Sequence, residues 1–161
     1  MRKEETFTKI IKEHEGVIYK ITRVYTNTND DQKDLYQEIV YQLWKSFDTF
    51  RGEAKVSTWI YRIALNTALF HLKKGKREGY KVPIENLTLK QENYDPVLED
   101  RLQLLYAHVR TLSDLERGII LLFLEGKKYD EIALITGLST TNIGTRMSRI
   151  KQKLKKQIIK Q

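Results

Sequence analysis

The 161-residue chain has no cysteine, only two prolines, and no purely apolar run longer than the six residues from Ile119 to Leu124. Without cysteine there is no disulfide and no cysteine-ligated zinc, which fits a reducing cytoplasm. Six apolar residues fall far short of the roughly 20 that cross a bilayer. The opening residues, Met1-Arg2-Lys3-Glu4-Glu5, lack the apolar segment of a signal peptide. Two prolines leave long helices uninterrupted. Acidic charge is short as well: 21 Asp+Glu against 29 Lys+Arg give +8 and a pI near 9.5. That balance favours nucleic acid or another anionic surface as partner. No nucleophile elbow, P-loop or Gly-rich dinucleotide signature is present, and His14, His71 and His108 lack metal-like spacing. A catalyst with a bound cofactor or metal is therefore not expected.

What is present is helical periodicity. Phe7, Ile10, Ile11, Val17, Ile18, Ile21 and Val24 predict a helix from about Thr6 to Tyr25. Gly16 should weaken it locally by about 1 kcal/mol relative to alanine. Leu35, Ile39, Leu43 and Phe47, with Val40 and Trp44 alongside, predict a second helix from Asp34 to about Ser46, preceded by Asn29, Asp30 and Asp31 as a start signal. Asp34, Gln37 and Glu38 fall off its apolar stripe and, three and four apart, form one polar patch. A loop from Phe47 to Val56 leads to a third helix, Ser57 to His71, which runs into Lys73, Lys74, Lys76 and Arg77. Residues 79–94 lose the period and read as a connector. Asp95-Pro96 then opens a helix whose stripe is Leu98, Leu102, Leu105, Val109 and Leu112. Ser113-Asp114-Leu115-Glu116 is a capping box for the next helix, which Gly126 ends. The expected fold is all-α: two small helical domains, 1–78 and 96–161, joined by a flexible linker, 79–95.

The last part is a helix-turn-helix pattern. A short helix, Tyr129 to Thr136, meets a turn at Gly137, and Ser139 caps a final helix with the stripe Ile143, Met147, Ile150 and Leu154. Candidate groove contacts are Ser139, Thr140, Thr141, Asn142, Thr145, Arg146, Arg149 and Lys153. From Gly144 to Gln161 there are seven Lys/Arg and no acid, the uncompensated charge that phosphate contacts require. On these residues alone a free-standing helix-turn-helix regulator of duplex DNA is one reading. The patch on the second helix has three readings: a protein contact, a solvated acidic first turn, or a divalent-metal site from Asp31, Asp34 and Glu38.

Asp34-Leu35-x-Gln37-Glu38 followed by Leu43-Trp44, then Thr58-Trp59-Ile60-Tyr61-Arg62-Ile63-Ala64-x-Asn66, resembles region two of bacterial RNA polymerase sigma factors. The small extracytoplasmic-function class, group IV, is the most similar, and the helix-turn-helix stands where its region four would be. The resemblance covers about residues 6–77 and 98–156. It implies a non-enzymatic, cytoplasmic subunit that directs polymerase to promoters and melts them. The implied partners are core RNA polymerase through its clamp and flap, promoter DNA both as duplex and as melted non-template strand, and an anti-sigma factor or recruiting protein. It places Asp34, Leu35, Gln37, Glu38, Leu43 and Trp44 at the clamp. It places Phe50, Arg51, Lys55, Thr58, Trp59, Tyr61, Arg62, Asn66, Lys73, Lys74, Lys76 and Arg77 at the minus-ten element, where a base is flipped into a pocket. Trp59 is at this point equally a core anchor or a stacking platform. The family often has a basic residue where this chain has Gly144, at or near the groove, so weak base reading by the last helix is expected.

Overall fold

The computed structural model describes residues 2–52, 54–74 and 95–159. Among them there are seven α-helices, one 3₁₀ turn and no strand: α1 Lys3–Tyr25, α2 Asn29–Ser46, the turn Phe47–Thr49, α3 Val56–Lys74, α4 Pro96–Arg110, α5 Asp114–Leu124, α6 Tyr129–Thr136 and α7 Thr140–Ile159. The chain divides into two compact units, Met1–Glu92 and Asn93–Gln161. The connector expected at 79–95 lies outside the described residues except for Asp95.

In the first unit α1, α2 and α3 each bury one stripe against the other two. Phe7, Ile11, Ile18, Ile21 and Val24 come from α1, Leu35, Tyr36, Ile39, Val40 and Leu43 from α2, and Ile60, Ala64, Leu65 and Ala68 from α3. Each of the larger aliphatic and Phe side chains contributes about 1.5–3 kcal/mol on leaving water. Two starts differ from the expectation. α1 begins at Lys3, and α2 begins at Asn29, because Thr28 caps it: its hydroxyl accepts from the Asp31 amide at 3.1 Å. Gly16 does not interrupt α1. Burying neighbours on both sides outweighs the propensity deficit. Two pairs of buried polar groups meet across helices. Gln32 Nε2 of α2 donates to Thr22 Oγ1 of α1 at 3.2 Å, and His71 of α3 meets Glu38 of α2 at 3.0 Å.

The second unit starts as the sequence signals. The Asp95 carboxylate accepts from the amides of Val97 at 3.0 Å and Leu98 at 3.4 Å, with Pro96 at the first helical position. Only the C-terminal half of α4, with Tyr106, Val109 and Leu112 just beyond its end, reaches the core. Leu98 and Leu105 of the expected stripe are exposed, along with Val97 and Leu104. The partners α5 and α7 pack against one side of α4 and leave these four apolar side chains at its surface. Gly126 and Gly137, with φ of +88° and +81°, make the two turns that fold α5, α6 and α7 together. Ile119, Leu122, Ile132, Ile135, Ile143, Met147 and Ile150 fill the space between.

Glu116 does two jobs in this unit. Its carboxylate accepts from the Ser113 amide at 3.1 Å, closing the α5 cap, and from Lys153 Nζ of α7 at 2.8 and 3.0 Å. Burial raises the proton affinity of this carboxyl. Hydrogen bonds from Lys153 and Ser113 outweigh that and hold its pKa below the ordinary 4.5. A pKa lowered in the folded state stabilises above the unfolded value and is lost as pH falls through the folded one. Glu116→Gln should therefore cost about 1–3 kcal/mol at neutral pH. The gap between wild type and variant should close as pH drops below about 4.5. Urea unfolding followed on NMR signals of α5 and α7 measures both.

Candidate nucleic-acid interface

In the first unit a chain of rings connects the core to the surface. Phe7 lies edge-on to Trp44 with centroids 5.2 Å apart and tilts against Phe47 at 5.3 Å. Phe47 is 6.2 Å from Trp59, and Phe50 stacks on Trp59 at 4.8 Å and 28°. The outer end of this chain is a wall of a recess of about 390 Å³ lined by Thr49, Phe50, Arg51, Ala54, Trp59 and Arg62. Trp59 is 9% exposed. Most of the Trp59 ring is core, and its remainder lines the recess. Gly52, with φ +73°, bends the loop over it. Two guanidinium groups at the lining make the recess attractive to an anionic chain carrying aromatic bases.

One face of α3 continues from the recess. Positions 62, 66, 70 and 73 share a helical face, and Arg62, Asn66, Phe70 and Lys73 on it are all exposed. Lys55 and Arg51 are exposed in the preceding loop. Phe70 was not singled out in the sequence, although its spacing from Arg62 and Asn66 marks it. Thr58 and Tyr61 are both buried; position 58 lies one turn before Arg62 on this same face, and position 61 is turned about 100° from it. The side chains of Lys74, Lys76 and Arg77 lie outside the described residues.

The expected protein-contact patch on α2 is smaller than its motif. Leu35 and Leu43 are fully buried, and Glu38 is 4% exposed with its carboxylate on His71. Asp34 and Gln37 are half-buried, as is Trp44, whose ring carries Lys3 Nζ at 4.2 Å. Glu38 turns inward because α3 brings a donor from 33 residues away. No local period shows that. Asp31, Asp34 and Glu38 do not converge as a metal site; among the described residues no three His, Cys, Asp or Glu side chains gather into one.

In the second unit Ser139 caps α7, its Oγ accepting from the Asn142 amide at 3.1 Å. Thr140, Thr141, Thr145 and Arg149 are exposed, as are Ser148, Lys151 and Gln152, which the sequence reading missed. Positions 141, 145, 148 and 152 form the outward row opposite the buried Ile143, Met147 and Ile150. Arg146 is steered along the helix by Asn142, whose Oδ1 accepts from its Nε at 2.8 Å. Lys153 pairs with Glu116 while about half of its side chain stays exposed. A Cβ at Gly144 would meet Tyr129 Cδ2 and Cε2 at 3.9 Å, so the position lies at the edge of the outward row, on the side toward the first turn of α6.

Family comparison agrees with this division. Residues 10–78 match Sigma-70 region 2, and residues 102–154 match Sigma-70, region 4. The RNA polymerase sigma factor SigV of Bacillus subtilis is 30% identical over 169 residues, covering 100% of this chain and 98% of that protein. The ECF RNA polymerase sigma-E factor of Haemophilus influenzae is 27% identical, covering 96% and 88%. Among solved structures, CnrH in complex with the cytosolic domain of CnrY aligns at a TM-score of 0.71 with 19% identity, covering 96% of this chain and 88% of that one. The sigma factor RpoE, in complex with the anti-sigma factor NepR from Bartonella quintana, aligns at 0.71 with 21% identity, covering 94% and 96%. These two establish likeness of fold, and the sequence matches carry the rest: the chain belongs to the extracytoplasmic-function class of bacterial RNA polymerase sigma factors.

Proposed function

We propose that this chain directs RNA polymerase to promoters and opens them, with the recess of the first unit as the place where a melted base is held. The supporting observation is the combination at its lining: the stacked Phe50–Trp59 pair beside Arg51 and Arg62. Flipping a base costs a few kcal/mol, and stacking returns about 1–3 kcal/mol per base. Arg62, Asn66 and Lys73 extend from the recess to hold the adjoining strand and duplex by their phosphates. A free-standing regulator of duplex DNA has no use for such a recess.

The remaining surfaces take the other partners. Asp34, Gln37 and Trp44, the surface part of the α2 motif, dock on the polymerase clamp. The outward row of α7 with Arg149 enters the upstream promoter element. The exposed apolar side chains of α4, Val97, Leu98, Leu104 and Leu105, are offered to the polymerase flap. An anti-sigma protein is a further partner in this reading, since CnrH and RpoE were each solved with a protein bound. The chain itself catalyses nothing and needs no cofactor. Nucleotide addition and its magnesium belong to the polymerase, and the site of action is the cytoplasm. No described helix is long and apolar enough to span a membrane.

Run-off transcription with core polymerase on genomic fragments tests the whole reading; absence of any promoter-dependent transcript with well-folded protein would end it. On a promoter so found, Phe50→Ala should slow opening by roughly tenfold, the value of one stacking contact, while core affinity stays unchanged. Arg149→Ala should weaken promoter binding and reduce the salt slope by about 0.9. Gly144→Ala should raise the stability of the second unit by about 1 kcal/mol, with the added methyl in ordinary contact with Tyr129. It should leave promoter preference as it was. A changed preference in a promoter library would put Gly144 in the groove.

A further inference from the structure

Glu38 and His71 are the pair that the promoter-opening surfaces do not use. Glu38 lies on α2 and His71 on α3, 4% and 8% exposed, with Nδ1 and Oε2 3.0 Å apart. An ionised carboxylate has no hydrogen to give, so the imidazole N–H donates. Apolar side chains of similar volume would serve stability as well or better, since desolvating such a pair offsets most of its attraction. What an apolar pair lacks is direction. A hydrogen bond weakens steeply away from linearity, so this contact fixes the rotation of the last turns of α3 against α2.

That rotation has consequences at the surface. Position 71 lies on the side of α3 opposite positions 62 and 73, and the exposed row Arg62, Asn66, Phe70 and Lys73 turns with it. On the other helix, Glu38 directly follows Gln37 and is one turn beyond Asp34, the residues left at the surface of the docking patch. The second unit has the same device. Buried Glu116 of α5 holds Lys153 of α7, the helix that carries the groove residues.

We propose that Glu38 and His71 are a positioning pair that holds the nucleic-acid face of α3 in register with the docking face of α2. Polymerase binding then aims the row that opens DNA. This rests on the proposed function, whose own failure has a separate signature.

The test compares two substitutions of equal length at Glu38. Glu38→Gln keeps an oxygen to accept from His71, and Glu38→Met removes it. A third variant, Glu38→Met with His71→Leu, replaces the pair by apolar contact and guards against a simple loss of folding. Each full-length variant is assayed for thermal stability, for core-polymerase affinity, and for promoter opening by 2-aminopurine fluorescence per holoenzyme formed. Because opening is scored per holoenzyme formed, a change in core affinity is read separately and does not enter the comparison. Opening should remain within about twofold of wild type in Glu38→Gln and fall roughly ten- to a hundredfold in Glu38→Met and the double variant, the scale that misplacement costs. The double variant should be at least as stable as the wild type. Wild-type opening by a folded double variant, or equal slowing in Glu38→Gln and Glu38→Met, would overturn the proposal. If the wild type itself opens no promoter with core polymerase, the proposed function falls instead. The pair is then judged by amide NMR shifts of Asn66 to Lys73, which Glu38→Met should move and Glu38→Gln should not; unmoved shifts reject it.

Discussion

A carboxylate taken out of water must find a hydrogen-bond donor or forfeit several kcal/mol, and each half of this protein is built around one that has. Glu38 finds His71, and Glu116 finds Lys153 together with the Ser113 amide. In both cases the donor side chain sits toward the end of a long helix, α3 or α7; on α3 the side opposite His71 is the exposed row from Arg62 to Lys73. Small helical units with modest cores have little apolar area with which to hold such a helix at one rotation. Leucine and isoleucine tolerate sliding and rolling at small cost, whereas a buried charge-assisted hydrogen bond does not.

The aromatic chain plays the complementary part in the first unit. Phe7, Trp44, Phe47, Trp59 and Phe50 pass from the middle of the core to the rim of the recess without a gap. On the proposed reading the surface that receives a base is therefore the outer face of the hydrophobic core itself. Ring pairs in these geometries contribute about 0.5–1.5 kcal/mol each beyond their burial, and they leave the recess wall few rotamers to lose on binding. Pre-organisation of this kind returns stacking energy to the melted strand undiminished by ordering of the protein.

The features legible in the sequence were those decided by neighbours three or four residues away. The stripes of α1, α2, α5 and α7, the caps at Asp95 and Ser139, and the turn at Gly137 all belong to that class. The illegible ones depend on groups far along the chain. Glu38 reads as surface until His71 is brought beside it. Lys153 also bonds to Glu116, 37 residues away, which no local spacing shows. The α4 stripe is as regular as the others, yet Leu98 and Leu105 stay in water, because the face that meets α5 and α7 is the one carrying Tyr106 and Val109. The neighbour of Gly144 is of the same kind: Tyr129, fifteen residues earlier, borders it at the edge of the outward row, and no local period shows that. The start of α2 was missed because three polar residues, Asn29 to Asp31, masked Thr28, the one that caps.

With Gly144 at its edge, the outward row of α7 is where the division of work between the two DNA contacts has to be weighed. Thr141, Thr145, Ser148 and Gln152 are short or neutral, and Arg149 lies beside them. Lysines at the far end add affinity through phosphates and no sequence information. Of this set, Arg149 and Gln152 alone have the paired hydrogen-bonding groups that a bidentate base contact demands, and such a contact is worth about 1–3 kcal/mol of discrimination. Arg146 has the same guanidinium, but its bond to Asn142 directs it along the helix. Upstream selectivity on this reading is narrow, resting on one or two side chains. The recess and the Arg62–Lys73 row, held at one rotation by Glu38 and His71, must supply the rest.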